Sequence, residues 1–312
     1  MRIMLLKGGS SPEFEVSLRS AQTIEAALRR LGHEVVAITI PRDGLMPAEV
    51  FTTRADLAYP VMHGHQGEDG IIQGLLEALG LPYVSEDVLT SAVGMDKAIQ
   101  TALFRDAHIP VVETAVVERG ESMPPLPEAD EYIVKVACGG SSIGVEKCSP
   151  AELEAVIAKV LELDRRVLVQ PCVKPLRELE CLVYKDNRDG TKHFLGPVEV
   201  MASAPYFVYE NKYSSAVSLI RPDKVDITQG TREALRDYAL RAFDTIHGSL
   251  YMRIDFFLSD GRLTLNEVNT IPGSTPTSHF NILCEQAGGL DAVLDVLLHS
   301  ALARKADHSR EF

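Results

Sequence analysis

Two stretches near the carboxyl end carry residues that could do chemistry together. Arg253-Ile254-Asp255-Phe256-Phe257-Leu258 and Leu263-Thr264-Leu265-Asn266-Glu267-Val268-Asn269-Thr270 both alternate apolar and polar residues, and Ser259-Asp260-Gly261-Arg262 between them carries the Asp-Gly signal of a tight hairpin. On a strand alternate side chains share a face, so Arg253 points with Asp255 and Glu267 with Asn269. Folding the hairpin gathers all four. Asp255, Glu267 and Asn269 offer only oxygen ligands, the set that suits Mg²⁺ when substrate phosphates complete its shell. Arg253 is placed to stabilise a developing oxyanion, and the Pro272-Gly273 turn leaves a backbone N–H for the same task. The alternative is an ordinary hairpin with a solvated acidic face.

Other residues suit phosphates. Tyr132 to Val136 reads as a strand carrying Lys135, followed by the glycine-rich turn Cys138-Gly139-Gly140-Ser141-Ser142-Ile143-Gly144-Val145. A Gly/Ser loop beside a strand-borne lysine can wrap a triphosphate with backbone N–H groups and a point charge. It is not a G-x-x-x-x-G-K-[ST] loop, because the lysine precedes the glycines, and a simple hairpin turn is the competing reading. Arg166 to Val173 is a strand broken at Pro171; its exposed backbone groups suit an adenine, and an edge strand would look the same.

The elements that must position these groups follow from periodicity. Strands are expected at 2–6, His33–Ile40, Leu57–Met62 and Tyr83–Val84, with helices at Ser17–Leu31 and Gly70–Leu79. Such alternation predicts a parallel sheet with a crevice at the strands' carboxyl ends. Glu13, Glu15, Ser17, His63 and His65 fall on loops there. Glu15 also fits a helix N-terminal carboxylate, and His63-x-His65 a zinc pair, although no third ligand stands nearby. Further on, helices are expected at Met95–Ala107 (with Lys97), Pro150–Leu163, Gly230–Gly248 and Leu290–Ala303, and a strand at Glu178–Tyr184.

Bulk composition narrows the class. The 312 residues are 46% hydrophobic and 24% charged, as in globular proteins, and 31 Lys+Arg against 44 Asp+Glu give −13, which argues against a nucleic-acid partner. Five cysteines at irregular spacing form no CxxC pair, so neither a zinc site nor a disulfide framework is signalled and a reducing cytoplasm fits best. Met1 to Leu6 is too short for a signal-peptide core, and no apolar run approaches the ~18 residues of a membrane span. The expectation is a cytoplasmic protein without membrane attachment.

Taken in order, Gly8-Gly9-Ser10-Ser11 with Glu15-Val16-Ser17-Leu18, His63-Gly64 with Gly67-Glu68-Asp69-Gly70, Met95-Asp96-Lys97, Val134-Lys135 with Gly140-Ser141-Ser142-Ile143-Gly144, Lys212-Tyr213, Arg253-Ile254-Asp255 and Asn266-Glu267-Val268-Asn269-Thr270 with Pro272-Gly273 form one joint pattern. By it the chain resembles, from first strand to last helix, the D-alanine:D-alanine ligases of the ATP-grasp carboxylate-amine ligases. The resemblance implies an α/β ATP-grasp fold with an N-terminal open parallel α/β domain. It divides the chain into a substrate domain at 1–94, a central subdomain with the phosphate loop at 95–178, and a subdomain with the metal and substrate site at 179–312.

The same resemblance implies a reaction in which ATP phosphorylates the carboxylate of one D-alanine and the amine of a second displaces the phosphate, for peptidoglycan precursor synthesis. Asp255, Glu267 and Asn269 would hold two Mg²⁺ ions, for which Mn²⁺ can substitute. Lys97 and Lys135 would neutralise the inner phosphates and Lys212 the transferred one. Gln170 to Val173 would be the adenine hinge, and Glu178 would take the ribose. Glu15 would pair with the first ammonium, His63 lie beside its carboxylate, and Ser278 bind the second carboxylate. Arg253 and the Gly273 N–H would bind the oxyanion, while Glu15, Ser141 and Tyr213 would pin the loop after Lys212, the tyrosine favouring an amine acceptor. A homodimer through the first domain is also implied. The chain departs from the pattern at Val136, Cys138-Gly139, Pro171-Cys172 and Asn211. None of these removes a chemical group, and the competing reading is a related ATP-grasp ligase joining a different amino-acid pair in secondary metabolism.

Overall fold

In the computed structural model, residues 1–140, 143–201 and 218–307 are described. The apolar run at the start forms β1 (Arg2–Gly8), in which Ile3, Met4, Leu5 and Leu6 are completely or almost completely buried. A strand covered on both faces reads as a continuous apolar run. Parallel neighbours β2 (Glu34–Ile40) and β3 (Leu57–Pro60) flank it in the order β2-β1-β3, and Tyr83 adds a parallel bridge to Ala58. The expected parallel sheet is present. Helix α1 (Phe14–Arg30) crosses between β1 and β2, burying Val16, Ala21, Ile24 and Leu28. Gly8 permits the tight exit from β1: its φ is +88°, and a Cβ there would stand 2.3 Å from the Ile40 carbonyl oxygen.

After α2 (Ala48–Thr52) and α3 (Ile71–Ala78) the helix expected at 95–107 is present, beginning two residues later, and a short helix that was not expected stands before it. Helix α4 (Val88–Met95) ends and α5 (Lys97–Asp106) begins across Asp96, whose backbone is extended. Its carboxylate accepts from Ala98 N and Ile99 N, both at 3.1 Å. An aspartate in this role caps a new helix better than it extends an old one. Lys97 is thereby the first residue of α5.

A four-stranded antiparallel sheet follows, ordered β4-β7-β5-β6, from β4 (Ala115–Glu118), β5 (Tyr132–Val136), β6 (Val145–Cys148) and β7 (Arg166–Pro171). Helix α6 (Leu153–Val160) packs Leu153, Ile157 and Val160 against Val134, Val167 and Val169. The third sheet is antiparallel and five-stranded, ordered β10-β9-β8-β11-β12, from β8 (Arg177–Asp186), β9 (Thr191–Met201), β10 (Ser218–Ile220), β11 (Tyr251–Ser259) and β12 (Arg262–Asn269). Alternation along β8 divides its side chains between two cores. Leu179, Cys181 and Val183 meet α7 (Gln229–Thr245) through Leu235, Ala239 and Phe243, whereas Leu182 and Tyr184 face the other way. On that second face they join Phe280 of α8 (His279–Cys284), Leu294 and Leu297 of α9 (Leu290–Asp307), and Ile3 and Leu28 of the first sheet and helix. Phe104 and Ile109 pack under the five-stranded sheet as well, so α5 is anchored there while its first residue touches the central sheet.

A buried carboxylate ties the first 94 residues to the last sheet. Glu86 accepts from Ser249 N (2.6 Å), Ser249 Oγ (2.8 Å) and Leu250 N (3.0 Å), and Arg304 Nη1 donates to the same Ser249 Oγ at 2.9 Å. Burial pushes the Glu86 carboxyl up to about 7, against the pull of its donors and Arg304. A carboxyl whose pKa is raised on folding favours the folded state most below its unfolded value, and that contribution fades as pH rises through the folded value. Glu86→Ala is therefore expected to cost about 3 kcal/mol at pH 5, and the gap to the unaltered protein to narrow towards pH 8. Urea unfolding at the two pH values measures it; a gap that widens with pH would contradict this account.

Candidate active site

The two antiparallel sheets face each other across a cavity of about 540 Å³ that also reaches the first sheet's loops. Its floor is the hairpin. Register pairs Arg253 with Asn269 and Asp255 with Glu267 across β11 and β12, so the four polar residues share one face as their spacing predicts. A β-bulge after Asp255 leaves Asn266 without an opposite residue on β11. Asn266 Oδ1 accepts from Lys135 Nζ at 3.0 Å, so the bulge ties the floor to the central sheet.

The lysines approach from the other side. Lys97 Nζ donates to the Gly139 carbonyl oxygen at 2.5 Å and lies 3.5 Å from Glu267 Oε2. Asp96 beside it makes an ion pair with Arg166 of β7, and Lys97 N donates to the Ala137 carbonyl oxygen at 2.9 Å. The start of α5 is thus held to the strand end that carries the glycine turn. Gln170, Val173 and Glu178 line the same cavity, Gln170 with its amide donating to Thr114 Oγ1 at 2.8 Å.

Arg253 is the most heavily engaged charge. Its Nε and Nη2 donate to both Asp255 oxygens at 2.8 and 2.7 Å, and Nε also reaches Glu180 Oε2 at 3.1 Å. Burial opposes its charge, but the two carboxylates outweigh that and raise its pKa well above the ordinary arginine value. Burial likewise pushes Asp255 up to about 6 in spite of Arg253. Asn269 Oδ1 is buried without a hydrogen-bond partner. Among the described residues no three His, Cys, Asp or Glu side chains form a metal cage.

His63, buried at the end of β3, donates Nδ1–H to the Ile271 carbonyl oxygen at 3.0 Å, with Nε2 3.3 Å from Ser20 Oγ, which accepts from Ser274 N at 3.1 Å. The turn with Gly273 is thus gripped on both sides. Burial works against an imidazolium here, but Glu68 at 3.6 Å, helped by Glu13, raises the His63 pKa overall. His65 is exposed and pairs with Asp69 at 2.7 Å, pointing away from His63, so the H-x-H zinc pair does not form. Ser278 Oγ lies 2.8 Å from Thr275 Oγ1 on the cavity wall with Gly273.

One expectation is corrected. Glu15 does not enter the cavity: its side chain is 67% exposed and paired with Arg42 at 2.6 Å. Glu13, buried where α1 begins, is the carboxylate that lines the cavity. Two residues along a helix is a rotation of about 200°, which turns Glu15 to the outer side. A Cβ at Gly140 would stand 2.8 Å from Glu13 Oε2, so the turn lies directly against this carboxylate. Ser141, Lys212 and Tyr213 lie outside the described residues. Sequence reading also passed over Glu180 and His279, which line the cavity together. The signal for Glu180 was its period-2 spacing from Glu178.

Comparison with known proteins places this geometry. The family described as D-ala D-ala ligase C-terminus matches residues 103–298, and D-ala D-ala ligase N-terminus matches 46–86. The D-alanine–D-alanine ligase of Deinococcus radiodurans is 37% identical over 325 residues, 92% of this chain and 94% of that one. That of Solibacter usitatus is 33% identical over 319 residues, covering 97% and 96%.

The chain belongs to the D-alanine–D-alanine ligase family.

The ligase of Bacillus anthracis solved in complex with ATP superimposes with a TM-score of 0.84 at 26% identity, over 99% of this chain and 100% of its own. That of Coxiella burnetii gives 0.84 at 26% identity over 98% and 95%. The fold is accordingly the ATP-grasp fold of this ligase family, with its parallel domain at the amino end.

Proposed function

We propose that the chain joins two D-alanines into D-alanyl-D-alanine with ATP, as an ADP-forming carbon–nitrogen ligase that supplies peptidoglycan precursors. The observation that carries this reading is the approach of two lysines from opposite elements, Lys97 and Lys135, to Glu267 and Asn266 on one hairpin strand. ATP lies between the sheets with its adenine along Gln170 to Val173 and its ribose towards Glu178. Lys97 and Lys135 offset phosphate charge, and Lys212 adds to them at the transferred group.

Asp255, Glu267 and Asn269 suit Mg²⁺. The buried Asn269 oxygen lacks a partner, and Arg253 takes only two of the roughly four lone-pair sites of Asp255. The small set fits an ion that keeps water and phosphate oxygens in its shell. When bound, Mg²⁺ ions, two in number and replaceable by Mn²⁺, offset the charge that builds during phosphoryl transfer. Glu13, in place of Glu15, holds the ammonium of the first D-alanine. His63 stands by its carboxylate and fixes the turn whose Gly273 N–H, with Arg253, binds the oxyanion. Ser278 takes the second carboxylate. Gly139 to Gly144 cover the phosphates and exclude water, to which an acyl phosphate is vulnerable. By the family pattern Tyr213 would favour an amine acceptor.

The division at 1–94, 95–178 and 179–312 follows the roles of these parts. The enzyme acts in the cytoplasm as a homodimer. Five free cysteines suit a reducing compartment, and Leu45, Phe51 and Leu89 expose 70%, 54% and 59% of their surface on the first domain, where a second copy would cover them. No helix among the described residues is long and apolar enough to cross a membrane. Light scattering should give twice the chain mass; a monomer at micromolar concentration would rule the dimer out.

The function is tested by ATP- and Mg²⁺-dependent phosphate release with each D-amino acid alone, products being analysed by mass. D-Alanine alone should give the homodipeptide; silence with D-alanine and turnover with another pair would replace the substrate assignment. Glu267→Gln should lower turnover by about two orders of magnitude or more with the fold unchanged, the scale found when one charge-stabilising group is removed. Unchanged turnover would make the hairpin acids structural. Glu13→Gln should raise KM for D-alanine at least about tenfold, as loss of a charged hydrogen bond does, whereas Glu15→Gln leaves it within about twofold. The reverse ranking would restore Glu15 to the site.

A further inference from the structure

The cavity holds an ionisable pair that phosphoryl transfer does not use. His279, the residue after Ser278, donates Nδ1–H to Glu180 Oε2 at 2.5 Å, and Arg253 Nε forms an ion pair with the same oxygen at 3.1 Å. Glu180 is buried opposite Asp255 in the β8–β11 register, and both Glu180 and His279 line the cavity. A carboxylate oxygen beside a guanidinium accepts from the imidazole N–H that faces it. It therefore fixes the imidazole tautomer, with the proton on Nδ1 and the lone pair on Nε2. Among the described residues Nε2 has no hydrogen-bond partner.

An anion beside the guanidinium that binds a growing oxyanion weakens that guanidinium's field. The second half of the reaction has a use for it. The acceptor amino acid arrives as a zwitterion, and its ammonium has no lone pair until it loses a proton. The carbon it attacks lies against Arg253 and Gly273, with Ser278 taking the acceptor's carboxylate. The amine must therefore pass the wall formed by Glu180 and His279.

We infer that His279, oriented by Glu180, is the general base that makes the acceptor amine nucleophilic. His279 Nε2 takes one proton from the ammonium and becomes imidazolium. The freed lone pair forms the C–N bond, the acyl C–O bond to phosphate breaks, and phosphate leaves with that electron pair. The second amine proton goes to the departing phosphate, and the imidazolium returns its proton to water. This inference rests on the ligase reading and assigns the half of the reaction that Lys97, Lys135 and Glu267 do not reach.

Two nucleophiles separate the possibilities. The full chain with ATP, Mg²⁺ and D-alanine is given hydroxylamine, which is already a free base at neutral pH, and D-alanyl hydroxamate is compared with dipeptide. In His279→Gln the ratio of dipeptide to hydroxamate should fall about 100-fold at neutral pH, the scale of lost general-base catalysis, and recover as pH is raised and the ammonium ionises unaided. Glu180→Gln should move it the same way. His279→Asn is measured alongside, so that a folding defect in one variant does not decide the result. An unchanged ratio, or two products that fall together without recovery at high pH, overturns the assignment. No hydroxamate from the unaltered enzyme overturns the ligase reading, and this role with it.

Discussion

A guanidinium taken out of water must carry its counter-charges with it, and Arg253 carries two. Asp255 takes it bidentately from the same strand and Glu180 from the neighbouring one, which keeps it charged against the penalty of burial. That requirement fixes much else. It demands that β8 and β11 run antiparallel in the one register that sets Glu180 opposite Asp255, and that β12 set Glu267 on Asp255's other side. A shift of one residue would turn these side chains into the hydrophobic core around α7. Leaving one charge buried without its partner would cost about 3–5 kcal/mol, so a shifted register is excluded by energy as well as by shape.

The parallel-sheet part of the chain holds the turn after that hairpin. His63 and Ser20 grip Ile271 and Ser274 by hydrogen bonds, and Glu86 grips Ser249 and Leu250 just before β11 begins. The hairpin is therefore held at both chain ends by residues from the parallel domain. Gln100 of α5 adds a third tie, its side-chain oxygen accepting from Val268 N at 3.0 Å. These contacts are polar and directional, so they set the position of Gly273 more tightly than the apolar packing beneath it could.

What was legible in the sequence follows from the kind of signal each element leaves. The hairpin was readable because alternation and an Asp-Gly turn specify both face and register, and the parallel sheet because apolar strands alternate with helical stripes. Helix α4 was not read, because its eight residues are too few for a clear helical stripe and run into α5 across Asp96, whose extended backbone separates the two. Strand β9 was not read, its run being interrupted by Gly196-Pro197, which local sequence marks as a turn. Glu13 and Glu15 stand two apart at a helix start, and the choice between them depends on where that helix begins. The expected start at Ser17 placed both on a loop, whereas the observed start at Phe14 puts Glu15 on the outer side and leaves Glu13 at the mouth. Glu180 and His279 are 99 positions apart, and only the tertiary fold brings them together.

The balance of charge in the cavity says how its parts must act together. Among the described lining residues six carboxyl groups face four lysines and arginines, so the site does not attract a polyanion by its own field, and the chain as a whole, at −13, opposes one. A nucleotide triphosphate therefore has to arrive with cations of its own, and the unpartnered Asn269 oxygen beside Glu267 is where they can be taken up. Lys97 and Lys135 meet Glu267 and Asn266 on the hairpin, while Glu13 and Glu180 stand on other elements of the cavity wall. Glu13 sits under the glycine turn and Glu180 beside His279. A surplus of acid that would be a fault in a simple ATP site is what a site for ATP and two zwitterions requires.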